Sequence, residues 1–431
     1  MKSKKNFIIL TIIIPAYNSE KFIFKCLKTI PNESYIETII IDDFSNKNLK
    51  KQLLNHELKN LKIYRNNINL GPGISRNKGI KNAKGKFVLF LDSDDYLNSK
   101  NIIELIKLIK NDEINDFYLC RYKKETFPKD NNFFLKKLPK NLNKEILIES
   151  IVNKNYPIDE CWSILFKKKF LIKKKIFFPK NIRIGEDEIF LAKTLINFNK
   201  ASIFKKTIYY HQNIEGSLSS NLSNFNSHLD FINLFYLFCN LYLEKNYKKN
   251  ETLILQRYIN ILYSRISLLL LLRNNYELKK ILKFIVKNYN KNLIKISNRI
   301  NLINFKYFIK SKQIKDLKYI VNNNIRKFLI DFRKPKNIFI YCKGLLAKSI
   351  SIMCLKLNIK VLAIVDDSKA INQKMFGHKI IGSDKLYKII KSNENLDFKI
   401  IIANNRKITF HKIKRSLIKN NVSSKKIMHF Y

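Results

Sequence analysis

At 431 residues the chain is longer than one ordinary hydrophobic core supports, so two or three folded units are expected. A 46% hydrophobic and 12% aromatic share excludes a chain too polar to repay its ordering entropy, while six scattered cysteines without a CxxC pair argue against a zinc site or disulfide framework and fit a reducing cytoplasm. The net charge of +49 lies in Lys-, Asn- and Ile-rich text spread along the whole chain, so it reads first as a solvated surface, with attraction to an anionic membrane as its consequence and no aromatic-lined stripe for nucleic acid.

Residues 7–14 form a continuous β-branched run and predict a strand buried on both faces. The start, Met1-Lys2-Ser3-Lys4-Lys5, has the charge of a signal n-region, but the apolar run breaks at Pro15 without a small-residue cleavage site. A helix is expected over 19–29 with Ser19 as N-cap, a second buried strand over 38–41, and a helix over 47–59. A third strand over 61–64, a helix over 74–83 and a fourth strand over 87–91 complete the rhythm. Such alternation predicts an α/β fold with a mostly parallel, doubly wound sheet, whose ligands bind beyond the carboxyl ends of the strands. Asp42-Asp43-Phe44-Ser45 and Asp92-Ser93-Asp94-Asp95 both fall at such ends.

From about residue 224 to 332 the text is helical and free of Gly and Pro. Its most apolar stretch, 266–272 between Arg265 and Arg273, is too short to span a bilayer. A further unit opens near Pro335, with a strand over 338–341, a helix over 345–357 and a strand over 361–365 that runs into Asp366-Asp367. The expected division is therefore 1–223, 224–332 and 333–431. In the last part Tyr341-Cys342-Lys343-Gly344-Leu345 keeps one glycine where a dinucleotide fingerprint needs three small residues. It reads as a small Rossmann-like domain with cofactor binding lost or altered, used for docking or regulation; an intact nucleotide site is the alternative.

Three carboxylates in a strand-end turn suit a hard divalent ion such as Mn2+ or Mg2+, held against phosphate oxygens. The alternation lets Asp92 and Asp94 point the same way, although an ordinary Asp-rich turn or helix cap would carry the same text. The combined pattern is more specific. Ile14-Pro15-Ala16-Tyr17-Asn18, Ile41-Asp42-Asp43-Phe44-Ser45, Asn69-Leu70-Gly71-Pro72-Gly73 with Arg76-Asn77-Lys78-Gly79, and Gly85 through Asp95 follow one another with the order and spacing of the family 2 glycosyltransferases of the GT-A fold. The resemblance covers about the first hundred residues.

That resemblance implies a metal-dependent, inverting sugar transfer from a nucleotide-diphosphate donor, most commonly a uridine diphosphate sugar, to a hydroxyl of a glycan or lipid-linked acceptor. The implied setting is bacterial surface polysaccharide synthesis in the cytoplasm, peripherally on the inner face of the membrane. It implies that Pro15 and Tyr17 frame the base, that Asp43 binds the ring, and that Asp42 supports the turn. Arg76 would approach the pyrophosphate or orient Asp92; Asp92 would lie near the ribose, and Asp94 would ligate the metal with Asp95 helping. Phe44 stands where the family commonly has Gly.

An inverting transfer also needs a general base for the acceptor's proton. Gly185-Glu186-Asp187-Glu188 resembles the family's Glu-Asp motif and offers Asp187 as that base, with Glu186 as second choice; acidic residues favoured by a helix N-terminus are the alternative. Trp162, the single tryptophan, resembles an acceptor-side residue that stacks on a sugar, or is core. His211, followed downstream by Gly216-Ser217-Leu218, is a possible third metal or diphosphate ligand, or structural. The competing classes are a nucleotidyltransferase, a dehydrogenase or a non-catalytic nucleotide- or glycan-binding protein. The first two lack a Gly-rich phosphate loop with Lys and an intact GxGxxG, and the acidic residues placed at strand ends count against pure binding.

Overall fold

A computed structural model describes residues 7–53, 56–124, 138, 141–153, 160–212, 225–244, 247–249, 251–259, 262, 280, 337–341, 347, 350–351, 354–355, 358–367, 374–375, 377–393, 397–403 and 407–429. The chain divides into two compact units, Met1–Ile259 and Asn260–Tyr431.

The first unit opens with β1 (Leu10–Ala16), α1 (Ile23–Lys28), β2 (Ile36–Asp42), α2 (Leu49–Gln52), β3 (Leu61–Arg65), α3 (Pro72–Asn82) and β4 (Phe87–Phe90). It continues with β5 (Tyr96–Leu97), α4 (Ser99–Ile109), β6 (Phe117–Lys124), β7 (Asn141–Asn143), α5 (Lys144–Asn153), β8 (Ile164–Lys167), α6 (Lys168–Lys173), α7 (Glu186–Asn197), β9 (Lys200–His211) and α8 (Phe225–Glu244). Its described strands form one sheet in the order β3-β2-β1-β4-β8-β6-β9-β5, with β7 beside β9. β1, β2, β3 and β4 run parallel, so their carboxyl ends share one edge. β8 runs antiparallel between β4 and β6, whereas β6 and β9 are parallel. The sheet is thus mostly parallel and carries the GT-A architecture.

Every residue of β1 and β2 is buried, as continuous β-branched strands covered on both faces require. On one face α3 comes unusually close: a Cβ at Gly79 would lie 2.2 Å from Ile13 Cγ2, so only glycine lets this helix rest on β1. Near the site the core is aromatic. The Phe90 ring meets those of Phe166, Phe178 and Phe190 at 5.8, 5.4 and 5.8 Å, and Phe178 stacks on Phe190 at 4.1 Å.

Two local expectations fail. The helix expected over 47–59 is only α2, four residues long, because Leu49 and Leu53 are the inward-facing apolar positions and Asn32 captures Glu57 O and Lys59 N–H, drawing the chain towards β3. Ser19 is not an N-cap: α1 begins at Ile23, and its cap position, Phe22, makes no side-chain hydrogen bond. Among the described residues no helix is long and apolar enough to cross a membrane.

The second unit contains β10 (Asn337–Tyr341), β11 (Lys360–Val365), β12 (Lys374–Met375), β13 (His378–Ile381), α9 (Ser383–Ser392), β14 (Lys399–Ile402), α10 (Lys407–Lys419) and β15 (Ile427–His429). Its strands lie in the order β12-β13-β11-β10-β14-β15, parallel except for β12. Leaving β12 aside, that is a 3-2-1-4-5 doubly wound arrangement. Phe339, Val365, Leu386, Phe398, Ile400 and Leu417 build its core. The helix expected over 345–357, the apolar run 266–272, Gly216-Ser217-Leu218 and Gly344 fall wholly or mostly outside the described residues.

Candidate active site

The parallel carboxyl edge gathers the polar turns. After β2, Asp42 is fully buried; its Oδ1 accepts the Ser45 N–H at 2.8 Å and its Oδ2 pairs with Arg65, which also donates to Ser45 O at 2.7 Å. Asp42 therefore fixes the turn. Asp43 does the same for the next loop: Oδ1 accepts from Asn66 at 2.8 Å and from Leu70 N–H at 2.9 Å, and Oδ2 accepts from Gly71 N–H at 2.7 Å. Pro15 is buried within β1, while Tyr17 beyond it is 51% exposed. Phe44 takes the left-handed conformation at φ 68°, which explains why glycine would suit the position, and its exposed ring lies 5.4 Å from the Arg65 guanidinium.

The centre of the site is Arg76, buried on α3. One guanidinium nitrogen donates to Glu186 and another to Asp92, each at 2.7 Å, and the group lies 5.4 Å from the Phe178 ring centre. Its buried Nε has no hydrogen-bond partner among the described residues. Glu186 and Asp187 open α7 behind Gly185 in a left-handed conformation, where a helix N-terminus favours negative charge. Burial, then the neighbouring Glu186 and Glu188, push the Asp187 carboxyl well above the usual carboxylate range. Burial also raises Glu186, against the pull of Arg76.

At the end of β4 the carboxylates diverge in their surroundings. Asp92 keeps 30% of its side chain exposed. Asp94, burdened by burial and by Asp92, is pushed up to about 6. Asp95 is buried, accepts the Tyr209 hydroxyl at 2.5 Å and the Gln212 N–H at 2.7 Å, and is pushed up to about 8 by burial and Asp92. Tyr209 Oη in turn accepts the Asp92 N–H at 3.2 Å, so β9 is fastened to this turn. His211, at the end of β9, is held below its usual value by burial and Lys124. Trp162 is 5% exposed and stacks on Tyr209 at 4.3 Å, with Tyr122 and His211 at 4.7 and 5.5 Å, so its rings pack against the protein's own aromatics. No group of three or more His, Cys, Asp or Glu among the described residues is arranged to hold a metal ion.

Sequence reasoning did not single out Asn66, which holds Asp43, or Tyr209 as the partner of Asp95. Asn66 directly follows β3, and its place just past a strand end was the available signal. In the second unit Asp367, just past β11, accepts the Tyr341 hydroxyl at 2.9 Å and the Ser383 N–H at 2.7 Å, so its carboxylate is engaged within the protein.

Residues 11–173 match the family model for glycosyl transferase family 2. The N-terminal region of this chain thus carries a family 2 glycosyltransferase domain in a GT-A fold. The poly(ribitol-phosphate) beta-N-acetylglucosaminyltransferase TarS of Staphylococcus aureus is 28% identical over 216 residues, covering 47% of this chain and 35% of TarS. A poly(ribitol-phosphate) beta-glucosyltransferase of Bacillus spizizenii is 31% identical over 211 residues, covering 47% of this chain and 32% of the relative. This chain thus spans about a third of the length of these two relatives. The crystal structure of TarS 1-349 from S. aureus in complex with UDP-GlcNAc superposes with a TM-score of 0.61 at 23% identity, covering 74% of this chain and 92% of that one.

Proposed function

We propose that this protein is an inverting glycosyltransferase that moves a sugar from a uridine diphosphate donor to an acceptor hydroxyl of a bacterial surface glycan. The observation that carries the reading is Arg76, which joins the strand-end carboxylate Asp92 to the Glu186-Asp187 turn and so unites the two halves of a transferase site. The names of the relatives favour a polyol-phosphate acceptor, and the complex of TarS 1-349 makes UDP-GlcNAc the first donor to test. A chain of net charge +49 suits an anionic acceptor and an anionic inner membrane face alike.

In this reading Tyr17 and the loop anchored by Asp43 flank the base, and Asp92 lies by the ribose. Glu186 is committed to Arg76, which leaves Asp187 to take the acceptor's proton. The acceptor oxygen then bonds to the anomeric carbon as the bond to the diphosphate breaks on the opposite face. A raised pKa suits Asp187, because a base poised nearer neutrality holds the proton it removes.

The chemistry of Asp92 and Asp94 suits a divalent ion, with the donor's diphosphate rather than a third side chain completing the ligands, since His211 does not join them in a three-residue group. Asp94 and Asp92 would offer hard oxygens, and Asp94, raised by burial and then by the Asp92 charge, stands where a cation would relieve both. Diphosphate oxygens would complete the coordination shell. When bound, Mn2+ or Mg2+ would neutralise the departing diphosphate.

The test is a panel of nucleotide sugars assayed for Mn2+-dependent release of free nucleoside diphosphate, followed by the anomeric configuration of the product. Release from UDP-GlcNAc or another UDP-sugar with inversion is expected. Retention of configuration, or no release from any donor in the presence of polyol-phosphate acceptors, would overturn the reading.

A further inference from the structure

Resting on the glycosyltransferase reading, we propose that Asp230, on α8, is a positioning residue that sets where Asp187 stands. α8 lies beyond the family match at 11–173, on chain that contributes nothing else to the site as described above. The turn that delivers Glu186 and Asp187 contains two left-handed residues, Asn181 at φ 62° and Gly185 at φ 80°. Asn and Gly admit this conformation readily, so the backbone permits the turn and its surroundings fix where it stands.

Asp230 supplies the hold. Its Oδ2 accepts the Arg183 N–H at 3.2 Å, and its carboxylate also accepts the Ile184 N–H, two residues before Glu186. Burial raises its pKa, and the two amides and Arg183 pull the other way by favouring the charged form. One turn further along α8, Leu234 leaves no room for a larger residue: a Cβ at Gly185 would lie 2.9 Å from Leu234 Cδ2.

From the opposite side Arg183 donates to Asn69 O at 3.1 Å, and a Cβ on Gly73 would lie 2.9 Å from Glu186 Cγ. The turn is therefore clamped between α8 and the loop whose amides hold Asp43. A carboxylate displaced by an ångström from its acceptor hydroxyl costs rate, not donor affinity.

The experiment compares Asp230→Ala, Asp230→Asn and Asp187→Asn in the full chain, measuring kcat, donor and acceptor KM, UDP affinity and melting temperature. Asp230→Ala is expected to lower kcat about tenfold or more, with donor KM and UDP affinity within about twofold. Asp230→Asn keeps an oxygen acceptor for both amides and is expected to restore at least half of kcat. The inference is overturned if Asp230→Ala keeps the wild-type kcat, if Asp230→Asn is as slow as the alanine variant, or if UDP affinity falls in parallel with kcat. Should the alanine variant not fold, Asp230→Asn must still keep most of kcat, and its failure to do so sinks the proposal. An active Asp187→Asn enzyme would instead remove Asp187 as the base, and absence of nucleotide-sugar turnover by the wild-type chain would remove the glycosyltransferase reading itself.

Discussion

Arg76 and Glu186, 110 residues apart in sequence, meet at 2.7 Å inside the first unit, and both are almost wholly withdrawn from solvent. A buried ion pair of this kind is weak evidence of stability while intact, yet removing one partner strands the other. Arg76→Ala leaves Glu186 without its counter-charge and Asp92 without its tether. Stability is expected to fall by about 3–5 kcal/mol in urea denaturation. Arg76→Lys, which keeps the charge but not the two-pronged geometry, is expected to fall between wild type and alanine. Equal stability of all three would show that the pair is not the joint described.

Asp187→Asn is expected to abolish transfer, by a factor of about 10² to 10⁴, without loss of fold. The stability effect has a definite sign. A carboxyl whose folded pKa lies above its unfolded value binds more protons in the native state, so native stability drops as pH rises above the ordinary carboxylate range. At neutral pH the neutral amide removes that burden. The melting temperature of Asp187→Asn should therefore match or exceed that of wild type, and a clear decrease would contradict the environment assigned to Asp187.

The cation proposed at Asp94 would carry a pH limit. With its carboxyl pushed up to about 6, protons compete with the metal below that pH. Mn2+-dependent UDP affinity, followed by titration calorimetry, is expected to weaken by up to about tenfold per pH unit below pH 6 and to level off above it. In Asp94→Asn the affinity should be low and nearly independent of pH over the same range.

Phe44 offers a test of backbone strain. At φ 68° a side chain costs about 1–2 kcal/mol that glycine does not incur. Phe44→Ala keeps the strain and loses the contact with Arg65, whereas Phe44→Gly loses the contact and relieves the strain. The glycine variant is expected to be the more stable of the two by about 1 kcal/mol in chemical denaturation, the reverse of their usual order.

β1, β2 and β4 were legible as β-branched or aromatic runs buried on both faces, and the strand-end positions of Asp42, Asp43, Asp92 and Asp94 followed from them. β8 was not, because its four residues carry no sign that they insert antiparallel between β4 and β6. The acidic motifs could be listed from sequence but not sorted. Nothing local tells that Asp42 and Asp95 spend their oxygens on Arg65, Tyr209 and backbone amides while Asp92 gives one oxygen to Arg76 and keeps 30% of its side chain exposed. That sorting depends on partners brought in from distant parts of the chain. Asp230 was invisible for the same reason: it is one of several polar residues on α8 until the fold sets it under Arg183.

The place of β9 in the sheet bears on how short a working fragment can be. β9 lies between β6 and β5 and clasps Asp95 through Tyr209, yet it begins at Lys200, past the last residue of the family match. A fragment cut at residue 173 would discard this strand, the three acidic residues of α7 and the helix bearing Asp230, leaving an unpaired edge on β6 open to aggregation. The smallest fragment retaining all of these elements extends through Glu244.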